Sequence, residues 1–162
     1  TKHRKLKLQT GIYEGCRFDI PIFKLKENMM KRRELREHIF EILFRVEFMN
    51  ETEMEEQMDL FFDDLAEARP ADVDYMKTKY LAIREKMPMI DIMIDEKAKG
   101  WKTSRMGKVE LTILRLAVYE MLYDEDVPAT VAINEAVEIA KKFGGDDTPA
   151  FVNGILAKVV AI

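Results

Sequence analysis

The segment from Gly107 to Tyr123, GKVELTILRLAVYEMLY, constrains the fold more than any other part of the chain. Val109, Leu111, Ile113, Leu114, Leu116, Val118 and Met121 surround most of a helical circumference instead of lining one face. A helix that is apolar nearly all round has to be enclosed, so the chain must supply other elements to cover it. The remaining sequence reads as those elements. Between Lys31 and about Phe48, Leu35, Ile39, Ile42, Leu43 and Val46 recur at helical spacing and make one buried stripe. Met54, Met58, Phe61, Phe62 and Leu65 give a second helix before Pro70. Val73, Met76, Tyr80, Ile83 and Met87 give a third, with Asp72 as its expected N-cap. Pro88 is expected to open a short fourth helix from Met89 to about Lys99, stopped by Gly100. After the apolar helix, Thr130 to Phe143 carries Ile133, Val137, Ala140 and Phe143 on one face and stops at Gly144-Gly145. Thr148-Pro149 reads as N-cap and first position of a last helix through Phe151, Val152, Ile155, Leu156 and Val159. The expectation is all-α: seven helices with short links, arranged as two small bundles sharing a core.

Composition agrees with this class. With 7 Gly and 5 Pro in 162 residues and 48% apolar content, the chain holds helix formers and enough apolar side chains for one core. The expected organisation is an N-terminal helical subdomain over 30–88 and a C-terminal one over 89–162. Residues 1–29 show no sustained periodicity and hold seven Lys/Arg against three Asp/Glu, a net of +4 that leaves −8 for the remainder of a chain with net charge −4. They read either as a basic arm that touches RNA or as a leader outside the folded unit. A nucleic-acid site elsewhere has to be a local patch.

Such a patch is visible at the start of the first helix. Lys31, Arg32, Arg33 and Arg36 crowd its first turns, where the helix dipole disfavours each cation by roughly 0.3 to 1 kcal/mol. Arg32, Arg36, Phe40 and Phe44 lie four apart, so cations and aromatic rings fall on one expected ridge, suited to phosphates and unpaired bases. The residues alone equally allow a solvated face on which Arg33 pairs with Glu37.

Three blocks carry a family resemblance. VPATVAINEAVEIAKKFGGDDTPAFVNGILAK at 127–158, LRLAVYEM at 114–121 and KRRELREHIFEILF at 31–44 resemble, in order and spacing, the carboxy-terminal signature, the preceding helix and the arginine-rich first helix of the NusB family. The resemblance covers about residues 30–160. It implies seven helices in two perpendicular three-helix bundles. It also implies a cytoplasmic antitermination factor that binds boxA-type single-stranded RNA jointly with NusE, a small-subunit ribosomal protein, in the RNA polymerase antitermination complex, and so supports processive ribosomal RNA transcription. The implied RNA residues are Lys31, Arg32, Arg33 and Arg36, with Asp147 and Phe151 flanking the start of the last helix. The implied NusE residues are Phe44, where the family often has tyrosine, and Glu110. Phe151 has core packing as its alternative reading, and Glu110 an ordinary carboxylate near a helix start. Ala150 stands where relatives commonly have a basic residue. Asn134, Asn153 and Gly154 match the family but read as architectural, Gly154 through close helix approach. Arg115 reads as snorkelling or paired with an acid.

Other functions find little support in the residues. His3 and His38 are the only histidines and neither has a nucleophile nearby in sequence, and Gly144-Gly145 lacks the lysine and strand of a phosphate loop. Cys16 is the single cysteine, so neither an intramolecular disulfide nor a cysteine zinc site is expected. No cofactor, metal or membrane span is expected, and no catalysis. The alternative is a helical adaptor that binds only protein, or a homodimer, with the Arg32 to Phe44 ridge packed against another chain.

Overall fold

The computed structural model describes residues 30–65 and 68–161; the basic extension at 1–29 lies outside the described residues. Six α-helices are found among them: α1 Arg32–Arg45, α2 Glu51–Asp64, α3 Pro70–Lys97, α4 Lys108–Tyr123, α5 Ala129–Phe143 and α6 Thr148–Val160, with a 3-10 turn at Thr103–Arg105 before α4. No strand occurs among the described residues.

The all-round apolar helix is at the centre. On α4, Leu111, Ile113, Leu114, Leu116, Ala117 and Val118 are all buried, and the helix packs against α1, α3, α5 and α6. Around it, α1 contributes Leu35, Ile39, Phe40, Ile42 and Leu43, and α6 contributes Val152, Ile155, Leu156 and Val159. The buried face of α5 is built from Ala132, Ala136, Ile139 and Ala140, with Ile133 and Phe143 packed at its margin. The alanines hold α5 close to its neighbours.

Local chemistry sets the helix ends. Asn50 caps α2, its side-chain oxygen accepting from the Glu53 N–H at 3.0 Å while its own N–H donates to the Glu53 carboxylate at 2.9 Å. At α3 the expected N-cap is corrected: the cap residue is Arg69, and Asp72 sits at the third helical position, its carboxylate accepting from the Arg69 guanidinium at 3.0 and 3.1 Å. The last helix starts one residue earlier than expected, with Asp147 as cap and Thr148 already helical.

The larger correction concerns Pro88. The expected third and fourth helices are one helix of 28 residues, about 42 Å long. Met76, Tyr80, Ile83, Ile90 and Ile94 are each at most 2% exposed and continue in register through the proline, while Pro88 faces outward. An interior proline costs about 3 kcal/mol. Burial of Ile90 and Ile94 at roughly 1.5 to 3 kcal/mol each offsets that cost. The helix ends where Gly100 turns with φ +94, a left-handed conformation that glycine adopts freely. The boundary at residue 88 therefore lies inside α3.

A chain of charges crosses this apolar interior. Glu120, 1% exposed on α4, accepts from the Arg36 side chain of α1 at 2.9 and 3.0 Å and from Lys79 of α3. Lys79 also reaches Asp124 at 3.0 Å, and Arg36 reaches Glu135 of α5 at 3.5 Å. Burial is the largest single influence and works to discharge Lys79, but the charge and hydrogen bond of Glu120, with Tyr75 and Asp124, together outweigh it and hold the ammonium above its ordinary value of 10.5. Arg115 pairs with Asp91 at 2.8 Å and with Glu47, as its place in an apolar helix suggested. No buried side-chain nitrogen or oxygen among the described residues lacks a hydrogen-bond partner.

Two outcomes follow for stability. Glu120→Ala leaves Arg36 and Lys79 buried without their shared carboxylate and should lower unfolding free energy by about 3 to 5 kcal/mol in urea titrations. Wild-type stability there would show that the network contributes nothing. The pH profile should have a broad plateau. Hydrogen bonds from Arg69 and Arg33 hold Asp72 and Glu135 below their ordinary 3.8 and 4.5, so their contribution is present above about pH 4.5 and disappears as pH falls through their lowered values. Lys79, raised, contributes below 10.5 and loses its contribution as pH climbs past that value. Thermal melts from pH 2 to 12 check both limbs.

Candidate nucleic-acid interface

The implied RNA residues divide in the structure. Lys31, Arg32 and Arg33 are exposed at the start of α1. Lys31 is the cap position and makes no side-chain capping bond, so the helix does not need it there. Arg36 is buried at 7% exposure and engaged by Glu120 and Glu135. The expected ridge is therefore not a surface: Arg36 and Phe40 belong to the buried face of α1, and Arg36 holds the helix in place instead of lying open beside the other cations. Periodicity placed the row correctly relative to the apolar stripe but did not reveal that Glu120 of α4 and Glu135 of α5 close over Arg36.

Arg33 does not pair with Glu37. Its guanidinium donates to both carboxylate oxygens of Glu135 at 2.8 and 3.0 Å and approaches Glu138 at 3.9 Å, while Glu37 pairs with Lys142. Hydrogen bonding and the charge of Glu135 raise the already high Arg33 value, so the cation is permanent. The side chain remains 55% exposed, which leaves part of the guanidinium facing solvent.

A groove connects this cation to the other implied RNA element. Arg33, Asn134, Glu138, Lys141, Ala150 and Asn153 are among the residues lining it, so α1 and the first turn of α6 face each other across α5. Asn134 and Asn153 are exposed on its walls, and neither side chain makes a hydrogen bond among the described residues. Gly154 is exposed, and a Cβ added there would meet nothing within 4 Å, so the close-approach expectation is also corrected.

Asp147 is exposed at the cap of α6 with no side-chain capping bond, leaving its carboxylate uncommitted within the helix. Phe151 is half-buried, packed against the core on one side and against Trp101 on the other, with ring centroids 5.7 Å apart and planes at 77°. The core reading of this ring holds in part. Trp101, missed from sequence, is 60% exposed. Its only sequence signal was that the chain's single tryptophan stands in a loop.

The two implied partner residues occupy neighbouring places. Phe44 lies in an aromatic row, 6.2 Å from Phe40 and 5.1 Å from Phe48, and shares a groove with Glu41, Arg45, Val109 and Phe143. Glu110 follows Val109 on α4, but its carboxylate turns inward and accepts from the Thr148 hydroxyl at 2.8 Å, whose oxygen accepts in turn from the Gly145 N–H at 3.0 Å. Glu110 thus ties α4 to the start of α6. Gly107 allows this, because an added Cβ would fall onto the Glu110 carboxylate. Glu41 is held below its ordinary carboxylate value by the hydrogen bond with His38.

A helical body with a polar groove beside Arg33, exposed cations at the start of α1 and an exposed indole against Phe151 has the makings of a small all-helical binding protein. Among the described residues, no cluster of three or more His, Cys, Asp or Glu that could hold a metal occurs, and no helix is long and apolar enough to cross a membrane. The NusB family model matches residues 33–161. The transcription antitermination protein NusB of Lachnoclostridium phytofermentans is 51% identical over 131 residues, covering 81% of this chain and 99% of that protein. That of Agathobacter rectalis is 52% identical over 129 residues, covering 80% and 98%. The structure of T. maritima NusB superposes with a TM-score of 0.71 at 33% identity, over 82% of this chain and 92% of that one. A crystal structure of antitermination factors NusB and NusE in complex with dsRNA shares the fold, with a TM-score of 0.70 at 23% identity over 82% and 98%. This chain belongs to the NusB family of transcription antitermination proteins.

Gly107→Val should displace the Glu110 carboxylate and break the Glu110–Thr148–Gly145 relay, lowering protection of the Gly145 amide in hydrogen exchange. Unchanged protection would show that the relay does not hold this turn.

Proposed function

We propose that this protein binds boxA-type single-stranded RNA together with NusE, acting in the cytoplasm within the RNA polymerase antitermination complex to support processive ribosomal RNA transcription. The observation that carries the reading is the exposed cluster Lys31, Arg32 and Arg33 at the start of α1, of which Arg33 faces the first turn of α6 across one groove. Lys31, Arg32 and Arg33 would hold phosphates, and Asp147 and Phe151 would meet the bases. Arg36 serves this surface from within, because it fixes α1 against α4 and α5. Phe44 would offer NusE its ring, and Glu110 would support that face by keeping α4 and α6 together. The two perpendicular bundles implied by the family belong to the same reading, with α4 shared between them. The protein works here by assembly, not by chemistry: each partner supplies part of one RNA footprint, and the pair binds more tightly than either alone.

The second reading, a protein-only adaptor or homodimer, rests on Leu81, Met89 and Ile92, which are 61%, 60% and 53% exposed on α3. Salt separates the two. Fluorescence anisotropy of a labelled boxA-like RNA, with and without NusE across a salt series, should show NusE-enhanced binding that falls with salt. A Lys31→Ala/Arg32→Ala/Arg33→Ala variant should bind more weakly, with a log–log salt slope shallower by about 1.4 to 2, since each single-strand phosphate contact contributes about 0.7 and Arg33 is already paired with Glu135. Binding indifferent to the three cations would move the RNA site, and absence of RNA binding would favour the protein-only reading.

A further inference from the structure

The segment from the last residue of α3 to the first of α4 carries none of the residues given a role toward RNA or NusE above. Its sequence from 97 to 108, KAKGWKTSRMGK, holds five cations, Lys97, Lys99, Lys102, Arg105 and Lys108, and no acid, in a chain whose net charge is −4. Lys99, Lys102 and Arg105 are exposed, and none of the three makes an ion pair among the described residues. Trp101 stands among them with 60% of its surface open.

Four features make this loop a built surface. The Asp95 carboxylate accepts from the backbone N–H of Thr103 at 2.6 Å, and the backbone N–H of Trp101 reaches the Ala98 carbonyl at 3.3 Å. Met106, 6% exposed, anchors the far end in the core. The edge-to-face contact with Phe151 holds the indole beside α6. Trp101, Arg105, Asp147 and Phe151 then line one hollow. An aromatic plane on an ordered loop, ringed by unpaired cations, has the chemistry for an unpaired nucleobase and its flanking phosphates. A base can stack on the indole while Lys102 or Arg105 meets the phosphate and Asp147 accepts from an exocyclic amine.

We infer that Trp101 is a base-stacking residue of the RNA site and that the 97–108 loop extends that site beyond α1 and α6. The inference rests on the RNA reading above and is separable from it. Trp101 is the only tryptophan in the chain, so emission excited at long wavelength reports this position alone. Titration with a boxA-like RNA oligonucleotide should quench that emission, with the same midpoint that anisotropy of the labelled RNA gives. Trp101→Ala should lose about 10-fold in RNA affinity, Trp101→Phe should keep most of it, and both should retain the wild-type circular dichroism. Lys99→Ala/Lys102→Ala/Arg105→Ala should flatten the salt dependence. RNA binding by anisotropy with unchanged emission and wild-type affinity in Trp101→Ala would overturn the inference and leave the RNA reading intact. Weaker NusE binding by Trp101→Ala in calorimetry, with RNA affinity unaltered, would reassign the loop to protein docking and equally overturn it. No RNA binding in either measurement overturns both.

Discussion

The carboxylate of Glu120 lies 1% exposed in the middle of the most apolar helix and is shared by a guanidinium from α1 and an ammonium from α3. An ionised group in such a place is costly unless its lone pairs are taken up, and here Arg36 and Lys79 take them up. The two outer helices are therefore fixed to the central one by geometry and not only by apolar burial, which is indifferent to small slides. Apolar packing fixes that α4 is inside. The charge triad fixes which way α1 and α3 are turned about it.

That orientation propagates to the surface. Arg36 also reaches Glu135, and Glu135 holds Arg33 through two hydrogen bonds. Arg33 lies on the rim of the groove whose opposite wall is the first turn of α6. That turn is held by its own relay, Gly145 to Thr148 to Glu110, built on α4. The proposed RNA face thus draws both of its walls from one central helix. The same arrangement sets a competition, because a phosphate approaching Arg33 meets a cation already neutralised by Glu135, while Lys31 and Arg32 stand outside that pairing. Affinity from these three cations is then unequal, with the outer two offering most of the free charge.

Much of the fold was legible because it rests on periodicity. The enclosed α4, the stripes of α1 and α6 and the glycine stop after α5 follow from apolar spacing and local backbone chemistry. Pro88 was misread because proline is a local penalty, whereas Ile90 and Ile94 repay it through contacts distant in sequence. Arg36 was misread for a similar reason. On its own helix it aligns with Arg32, and nothing in α1 indicates that a carboxylate 84 residues away reaches it. Phe151 could be read as core or as RNA-facing, and its half-buried place between the core and an exposed indole depends on a loop that its own helix does not reveal.

By itself the sequence determined the class of fold, the central helix, the family and the presence of cations at the start of the first helix. These follow from hydrophobic patterning and residue order, which act over one or two helical turns. Only the tertiary structure decided which cations are spent on holding helices together and which remain at the surface. It alone brought Trp101 to Phe151 and set Arg33 across from Ala150 and Asn153. The physical reason is that pairing and exposure depend on what packs opposite a residue, and the facing groups here lie roughly 50 to 120 positions away along the chain.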